Sequence, residues 1–273
     1  MTIDLHLCQG RLADRKDGTI TGARLTAQAL FRRYGMPLTT SGSPAPAATD
    51  NWTESLSQGH ATLNALAEHV DTSLAAGRFP MMVANTCSAS LATLPVVARH
   101  HPGATLLWID AHGDFNTPAT TDSGYLGGMV LAAACGLWDS GHGCGLDPLN
   151  VVIVGARDID EEERKLLASA GVTVIAPGGT LLDEVGTRIG DSPVWVHVDW
   201  DVLEPGHIPA DYAIPGGLHP GDVRAVLEAI PHGSLKGLEI AEFHAPDPDT
   251  SYDAALEIIL ETVAPALEAR VAA

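Results

Sequence analysis

Apolar residues recur along this chain in short, unbroken runs rich in Val, Ile and Leu. They lie at Thr2 to Leu7, Pro80 to Ala84, Thr105 to Ile109, Val151 to Gly155, Val172 to Ile175, Val194 to Val198 and Leu235 to Ile240. Runs of this length and β-branched content predict strands buried on both faces. Between them, helices are predicted at Ser55 to Ala76, Ser88 to Arg99, Gly124 to Cys135, Glu161 to Ala170, Pro220 to Ala229 and Ser251 to Arg270. Strands that alternate with helices predict the α/β class, with a parallel sheet covered on both faces. Thr39 to Thr49, rich in Ser, Pro, Ala and Thr, reads as a surface loop, as does Asp139 to Asn150. Neither joins two separable cores and no internal repeat is visible, so one domain spanning 1–273 is expected. Ligand sites in such sheets form beyond the carboxyl ends of the strands. The residues that follow each strand are therefore where function is sought.

Composition narrows the classes only slightly. With 45% apolar and 18% charged residues the chain has the balance of an ordinary soluble enzyme. A formal net charge of -19 and the lack of a basic stripe argue against nucleic acid as a partner. The same acidity suits cations, and serves solubility equally well. Met1 to Gly10 lacks the pattern of a signal peptide, and the longest apolar stretches, such as Met129 to Cys135, are too short for a bilayer. A cytoplasmic protein without membrane contact is expected. Cys8, Cys87, Cys135 and Cys144 form no CxxC pair and are expected to be reduced.

Chemistry concentrates at two strand ends. The run WIDAHGDFN, Trp108 to Asn116, places Asp110, His112 and Asp114 at i, i+2 and i+4, which point to one side if the backbone stays extended. The run WVHVDWDVLEPG, Trp195 to Gly206, puts Asp199 and Asp201 on a shared face. A buried, unpaired carboxylate is costly or takes up a proton, so acids gathered at buried strand ends need a cation between them. Carboxylates with a little imidazole suit Mn²⁺ or Mg²⁺. Shared carboxylates can hold two ions roughly 3.5–4 Å apart, a pair that activates water as a nucleophile. His197 alternates onto the same face but deeper, and reads as a hydrogen-bonded core residue. No Ser-His-Asp arrangement, P-loop or dinucleotide glycine motif competes.

Four segments together resemble the ureohydrolase family of arginases and agmatinases. They are DAHGDFNTPATTDSG (Asp110 to Gly124), VGARDIDEEE (Val154 to Glu163), VDWDVLEP (Val198 to Pro205) and EIAEFHAP (Glu239 to Pro246). They occur in the family's order and span most of the chain. The resemblance implies an arginase-like, three-layer α/β/α fold with a mostly parallel central sheet. It also implies two Mn²⁺ per chain and hydrolysis of guanidino groups by a hydroxide bridging the two ions. On this match Asp110 and Asp199 bridge both ions, Asp114 ligates one and orients the hydroxide, and His112 and Asp201 ligate the other. Glu242 falls where the family places the carboxylate that receives the guanidinium. NTPATTDSG is similar to the arginase type, which assigns Asn116 and Ser123 to an α-carboxylate and Asp160 and Glu163 to an α-ammonium. Asp160, followed by three Glu, also reads as a helix start favoured by the macrodipole.

Two departures redirect the expected substrate. The family's GGDHS segment carries a metal-binding His, and the equivalent stretch here is Ala84-Asn85-Thr86-Cys87-Ser88. Cys87 is expected as a thiolate ligand, softer than imidazole and more tolerant of zinc or iron; the other reading is a buried Cys that leaves one metal under-coordinated. In SGYLGGM, Gly127 stands where arginases carry a His used for proton transfer. Losing a positioned acid typically costs about 10²–10⁴-fold, which an already activated guanidine feels less. Gly127 is also expected to leave room for an extra oxygen. The expected reaction is hydrolysis of Nω-hydroxy-L-arginine to hydroxyurea and L-ornithine, as in a divergent branch of the family that serves antibiotic biosynthesis. The alternatives are an arginase or other guanidino-compound hydrolase, with His244 as a candidate proton donor, and a non-catalytic ureohydrolase-like binding protein. The chain ends soon after its last predicted helix, without the extension that helps some arginases trimerise, so a monomer is expected.

Overall fold

A computed structural model describes residues 2–231 and 233–271. Strands β1 (Ile3–Cys8), β2 (Leu38–Ser41), β3 (Phe79–Val83), β4 (Thr105–Ile109), β5 (Val151–Val154), β6 (Thr173–Ile175), β7 (Val194–Asp199) and β8 (Leu235–Ala241) form one sheet. Its order is β2-β1-β3-β8-β7-β4-β5-β6, and every neighbouring pair is parallel. The helices are α1 (Thr19–Tyr34), α2 (Trp52–Ala75), α3 (Ser90–His100), α4 (Val130–Ala134), α5 (Glu161–Ala170), α6 (Leu181–Ile189), α7 (Pro220–Ala229) and α8 (Asp253–Val271).

Alternation along the strands sends side chains into two separate cores. Leu107 and Ile109 of β4 join a cluster with residues of α1, α6, α7 and α8, while Leu106 and Trp108 join another with residues of α2, α3, α4 and α5. Burial on both faces makes the strands continuously apolar, and the result is three layers with the sheet in the middle. Local signals fix the helix ends. Asn51 accepts from Thr53 N–H and Glu54 N–H while Glu54 returns a bond to Asn51 N–H, a capping box that starts α2. Gly171, at φ 77, stops α5 in the left-handed conformation that glycine adopts without strain.

All seven predicted strands are present, each end within one residue of its expected place. Four elements differ from expectation, among them helix α6, which no predicted helix covers. Strand β2 occupies the start of the stretch read as a surface loop; it is a short edge strand with a polar, partly exposed sequence, LTTS, so no apolar run marks it. Helix α1 buries mainly small residues, among them Gly22, Ala23, Thr26 and Ala27, which leave a weak hydrophobic pattern. Its close approach is real: a Cβ at Gly22 would sit 1.8 Å from the Phe243 carbonyl oxygen. The helix predicted over Gly124 to Cys135 shrinks to a 3-10 turn at Gly127–Met129 and the five residues of α4. Gly124 has φ 61, and the residues after it turn into the wall of a cavity instead. Among the described residues no helix is long and apolar enough to cross a membrane.

Candidate metal centre and substrate cavity

In the sheet order β3, β8, β7 and β4 are consecutive, so the loops beyond their carboxyl ends converge. The loop after β3 delivers Cys87, β4 runs into Asp110 to Asp114, β7 ends on Asp199 with Asp201 in the turn behind it, and β8 is followed by Glu242. The backbone after β4 does not stay extended, contrary to expectation, and Asp114 sits at φ 46. Asp110, His112 and Asp114 are instead brought together by a tight loop. Asp110 Oδ1 accepts from His112 N–H at 2.7 Å, and Trp108 Nε1 donates to Asp110 Oδ2 at 2.9 Å. Asp199 does the same work after β7, accepting from Asp201 N–H at 2.7 Å.

All six residues expected as metal ligands meet here. Ligand atoms of Cys87, Asp110 and Asp114 lie within 4.8 Å of one another, and so do those of Asp110, His112 and Asp201. Asp110 is common to both sets. A third grouping joins Cys87, Asp199 and Glu242. His112 Nδ1 lies 3.0 Å from Asp201 Oδ2 and 3.3 Å from Asp110 Oδ1. Burial, and then repulsion from Asp110, raise the carboxyl of Asp114; burial and then Asp201 raise that of Asp199. Cys87 is likewise pushed up by burial and by Asp199 and Asp110. His112 moves the other way from what burial favours, because its bonds to Asp110 and Asp201 hold its proton. A buried set dominated by acids that repel one another, with a thiol and an imidazole at its edges, fits divalent cations and poorly fits any neutral ligand.

Behind Cys87 lies a polar row. His197 Nε2 is 3.2 Å from Cys87 Sγ, and the thiol donates to Asp199 Oδ2 at 3.1 Å. On its other side His197 Nδ1 is 3.3 Å from Glu239 Oε2 and 3.2 Å from Ser90 Oγ, and Ser90 Oγ–H donates to Glu239 at 2.7 Å. The ring stacks on Trp108 at 3.7 Å and 7°. Trp108, His197 and Glu239 sit opposite one another on β4, β7 and β8. His197 is thus the buried, hydrogen-bonded residue expected from the sequence. Its contact with Cys87 was not foreseen, because it depends on strand pairing between distant segments.

A cavity of about 200 Å³ opens above these residues, and Asn116, Ser123, Asp160, Glu163 and Glu242 all line it. Glu242 Oε1 accepts from Cys87 N–H at 3.1 Å and from Tyr125 Oη–H at 3.2 Å. Glu163 is buried, accepts from Phe115 N–H at 2.8 Å, and is pushed up to about 7 by burial. Asp160 stands at the N-cap of α5, yet its side chain makes no capping bond, which leaves it free for the cavity. Asp114, Tyr212 and Glu242 are the non-glycine residues with positive φ among the described residues, and all three line this cavity. Backbone strain of that kind concentrates at functional sites.

Two expectations are corrected. Gly127 does not leave open space for the substrate: a Cβ there would meet Tyr125 Cε1 at 2.4 Å, so the tyrosine ring fills the room. His244 pairs with Asp211 at 3.3 Å and is not among the cavity residues. Arg15, Tyr125, Asp158 and Tyr212 also line the cavity and were not singled out from the sequence. Arg15 comes from a loop after β1 with no motif around it.

The chain belongs to the arginase family, whose sequence model matches residues 19–264. It is a hydrolase acting on C–N bonds. The Nω-hydroxy-L-arginine amidinohydrolase of Streptomyces lavendulae is 55% identical to it over 270 residues, covering 99% of each chain. The arginase of Bacillus caldovelox is 30% identical over 201 residues, 67% of this chain and 66% of that protein. The crystal structure of Bacillus subtilis arginase superimposes with a TM-score of 0.82 over 97% of this chain and 98% of that one, at 24% identity, and so speaks for the fold.

Proposed function

We propose that this protein is a metal-dependent amidinohydrolase that cleaves Nω-hydroxy-L-arginine to hydroxyurea and L-ornithine, and that it serves antibiotic biosynthesis as a cytoplasmic, single-domain monomer. Two overlapping ligand sets on the floor of one cavity, with Glu242 beside them, carry this proposal. The similarity to the Streptomyces lavendulae amidinohydrolase supports the choice of substrate. Cys87, Asp110, His112, Asp114, Asp199 and Asp201 would hold two Mn²⁺. When bound, such a pair supplies Lewis-acid activation of water near neutral pH.

The chain's own residues do the positioning. Glu242 pairs with the cationic guanidine, and its fixed bonds to Cys87 N–H and Tyr125 leave Oε2 for the substrate. Asp160 and Glu163 take the α-ammonium, while Asn116 and Ser123 take the α-carboxylate. Asp114 orients the attacking water and receives its proton. Water adds to the guanidino carbon, the bond from that carbon to the side-chain nitrogen breaks, and the amine leaves with a proton. A hydroxyl on the guanidine withdraws electron density, which makes the carbon more electrophilic where no His stands at position 127.

Release of ornithine or putrescine by the Mn²⁺-loaded protein should be measured with Nω-hydroxy-L-arginine, L-arginine and agmatine. The N-hydroxylated amino acid is expected to give the highest kcat/KM. A clear preference for L-arginine overturns the substrate, and no turnover of any guanidine points to a binding protein.

A further inference from the structure

Tyr125 occupies an unusual place. Its ring packs where any side chain at position 127 would have to lie, with Cε1, Cζ and Oη at 2.4, 2.8 and 3.1 Å from an ideal Cβ. Arg15 sits over the ring at 5.1 Å, and Tyr212 lies 5.6 Å away on its flank. The ring is therefore clamped, and its hydroxyl is aimed at Glu242 Oε1. A phenol has one proton to donate and lone pairs with which to accept. Since the proton is engaged by Glu242, the oxygen facing the cavity is left as an acceptor. Burial, followed by the charge of Glu242, holds Tyr125 well above the ordinary tyrosine range, so the phenol stays protonated.

We propose that Tyr125 selects the N-hydroxylated guanidine, its phenolic oxygen accepting a hydrogen bond from the substrate's N-hydroxyl while its own proton is held by Glu242. This rests on the substrate proposed above. A guanidinium nitrogen that pairs with Glu242 carries the N-hydroxyl one bond further toward Tyr125. Plain arginine carries only a hydrogen at that point. Apolar space rejects or accepts an extra hydroxyl weakly, whereas a site built to hydrogen-bond it discriminates strongly against the analogue that lacks it. Gly127 is the partner of this device, because it gives the ring its position.

Tyr125→Phe keeps the ring and removes the oxygen. Both substrates lose the brace on Glu242, but kcat/KM for Nω-hydroxy-L-arginine should fall by about 10–10²-fold more than that for L-arginine. Bound Mn²⁺ per chain should match the wild type. Competitive inhibition gives a second readout: N-hydroxyguanidine should bind more tightly than guanidine to the wild type, and Tyr125→Phe should erase the difference. Gly127→Ala, which displaces the ring, should lose the preference as well. If wild type favours the N-hydroxylated amino acid and Tyr125→Phe slows both substrates equally, Tyr125 merely braces Glu242 and the assignment is overturned. If Gly127→Ala keeps the full preference, ring position is not what selects, and the assignment is again overturned. A wild type that favours L-arginine overturns the substrate itself, and the role of Tyr125 with it.

Discussion

Two groups of polar side chains are buried against this sheet, and they meet the cost of burial in opposite ways. Near the β1–β2 edge, His6 Nδ1 and Nε2 each lie 2.8 Å from a hydroxyl, of Thr39 and Ser41 respectively. The ring stacks on His69 at 3.9 Å, and Asp4 faces Arg78 at 3.4 Å. Hydroxyls meet both nitrogens of His6, and the charge of Asp4 is met by Arg78. Beyond the carboxyl ends of β3, β8, β7 and β4, by contrast, Asp110, Asp114, Asp199, Asp201 and Glu242 are buried beside one another. The first cluster sets Asp4 against Arg78 and His69 and ties an edge strand to the sheet. The second gathers acids that repel one another, with the imidazole of His112 at its edge. Burial alone therefore does not mark a site; burial of several like charges beside one another does.

That contrast predicts opposite responses to substitution. Asp199→Ala should lower turnover on the order of 10³-fold and reduce bound metal per chain. In a chelator, however, the variant should unfold no more easily than the wild type, since it removes one member of a repelling set. Easier unfolding of the metal-free variant would break the comparison. Cys87 sharpens it next: Cys87→Ala should lose roughly one ion per chain by elemental analysis, while Cys87→His keeps both. Mn²⁺ at a hundredfold over its dissociation constant stabilises a chain by about 2.7 kcal/mol, and Cys87→Ala should lose much of that protection. Equal metal content in Cys87→Ala and wild type removes Cys87 from the ligand set.

The smallest effect belongs to the edge cluster and depends on pH. Burial, and then the neighbouring His69, lower His6 from its ordinary 6.5 to about 3. Between those values the unfolded chain binds a proton that the folded chain refuses. Stability from this group is thus complete above pH 6.5 and is lost as pH falls toward 3, with a slope of at most about 1.4 kcal/mol per pH unit. His6→Gln should flatten that part of the acid loss, read from urea midpoints at pH 7 and pH 5 with metal present. An unchanged pH dependence would contradict it.

Legibility in the sequence followed the same physics. Continuous apolar strands could be read to within a residue because burial on both faces writes itself into every position. Strand β2 and helix α1 could not, since an exposed polar edge and a face of small residues leave little hydrophobic contrast. The candidate metal ligands were legible because acids, a thiol and an imidazole after buried strands have few structural uses. Tyr125 and Arg15 were not: an aromatic and a lone arginine in loops are common, and their meaning here depends on atoms that folding brings close. Glycine at 127 could be seen as a missing side chain, but not as space already taken.

Gly127 has a consequence for packing as well as for chemistry. Its backbone is not in the left-handed region, so the glycine answers to Tyr125 and not to its own conformation. A histidine arising at 127 by a single codon replacement would arrive on top of the tyrosine ring. A His at this position therefore requires the Tyr125 ring to move away from its place beside Glu242. Two neighbouring loop positions in this way share a single volume, and only one side chain can occupy it.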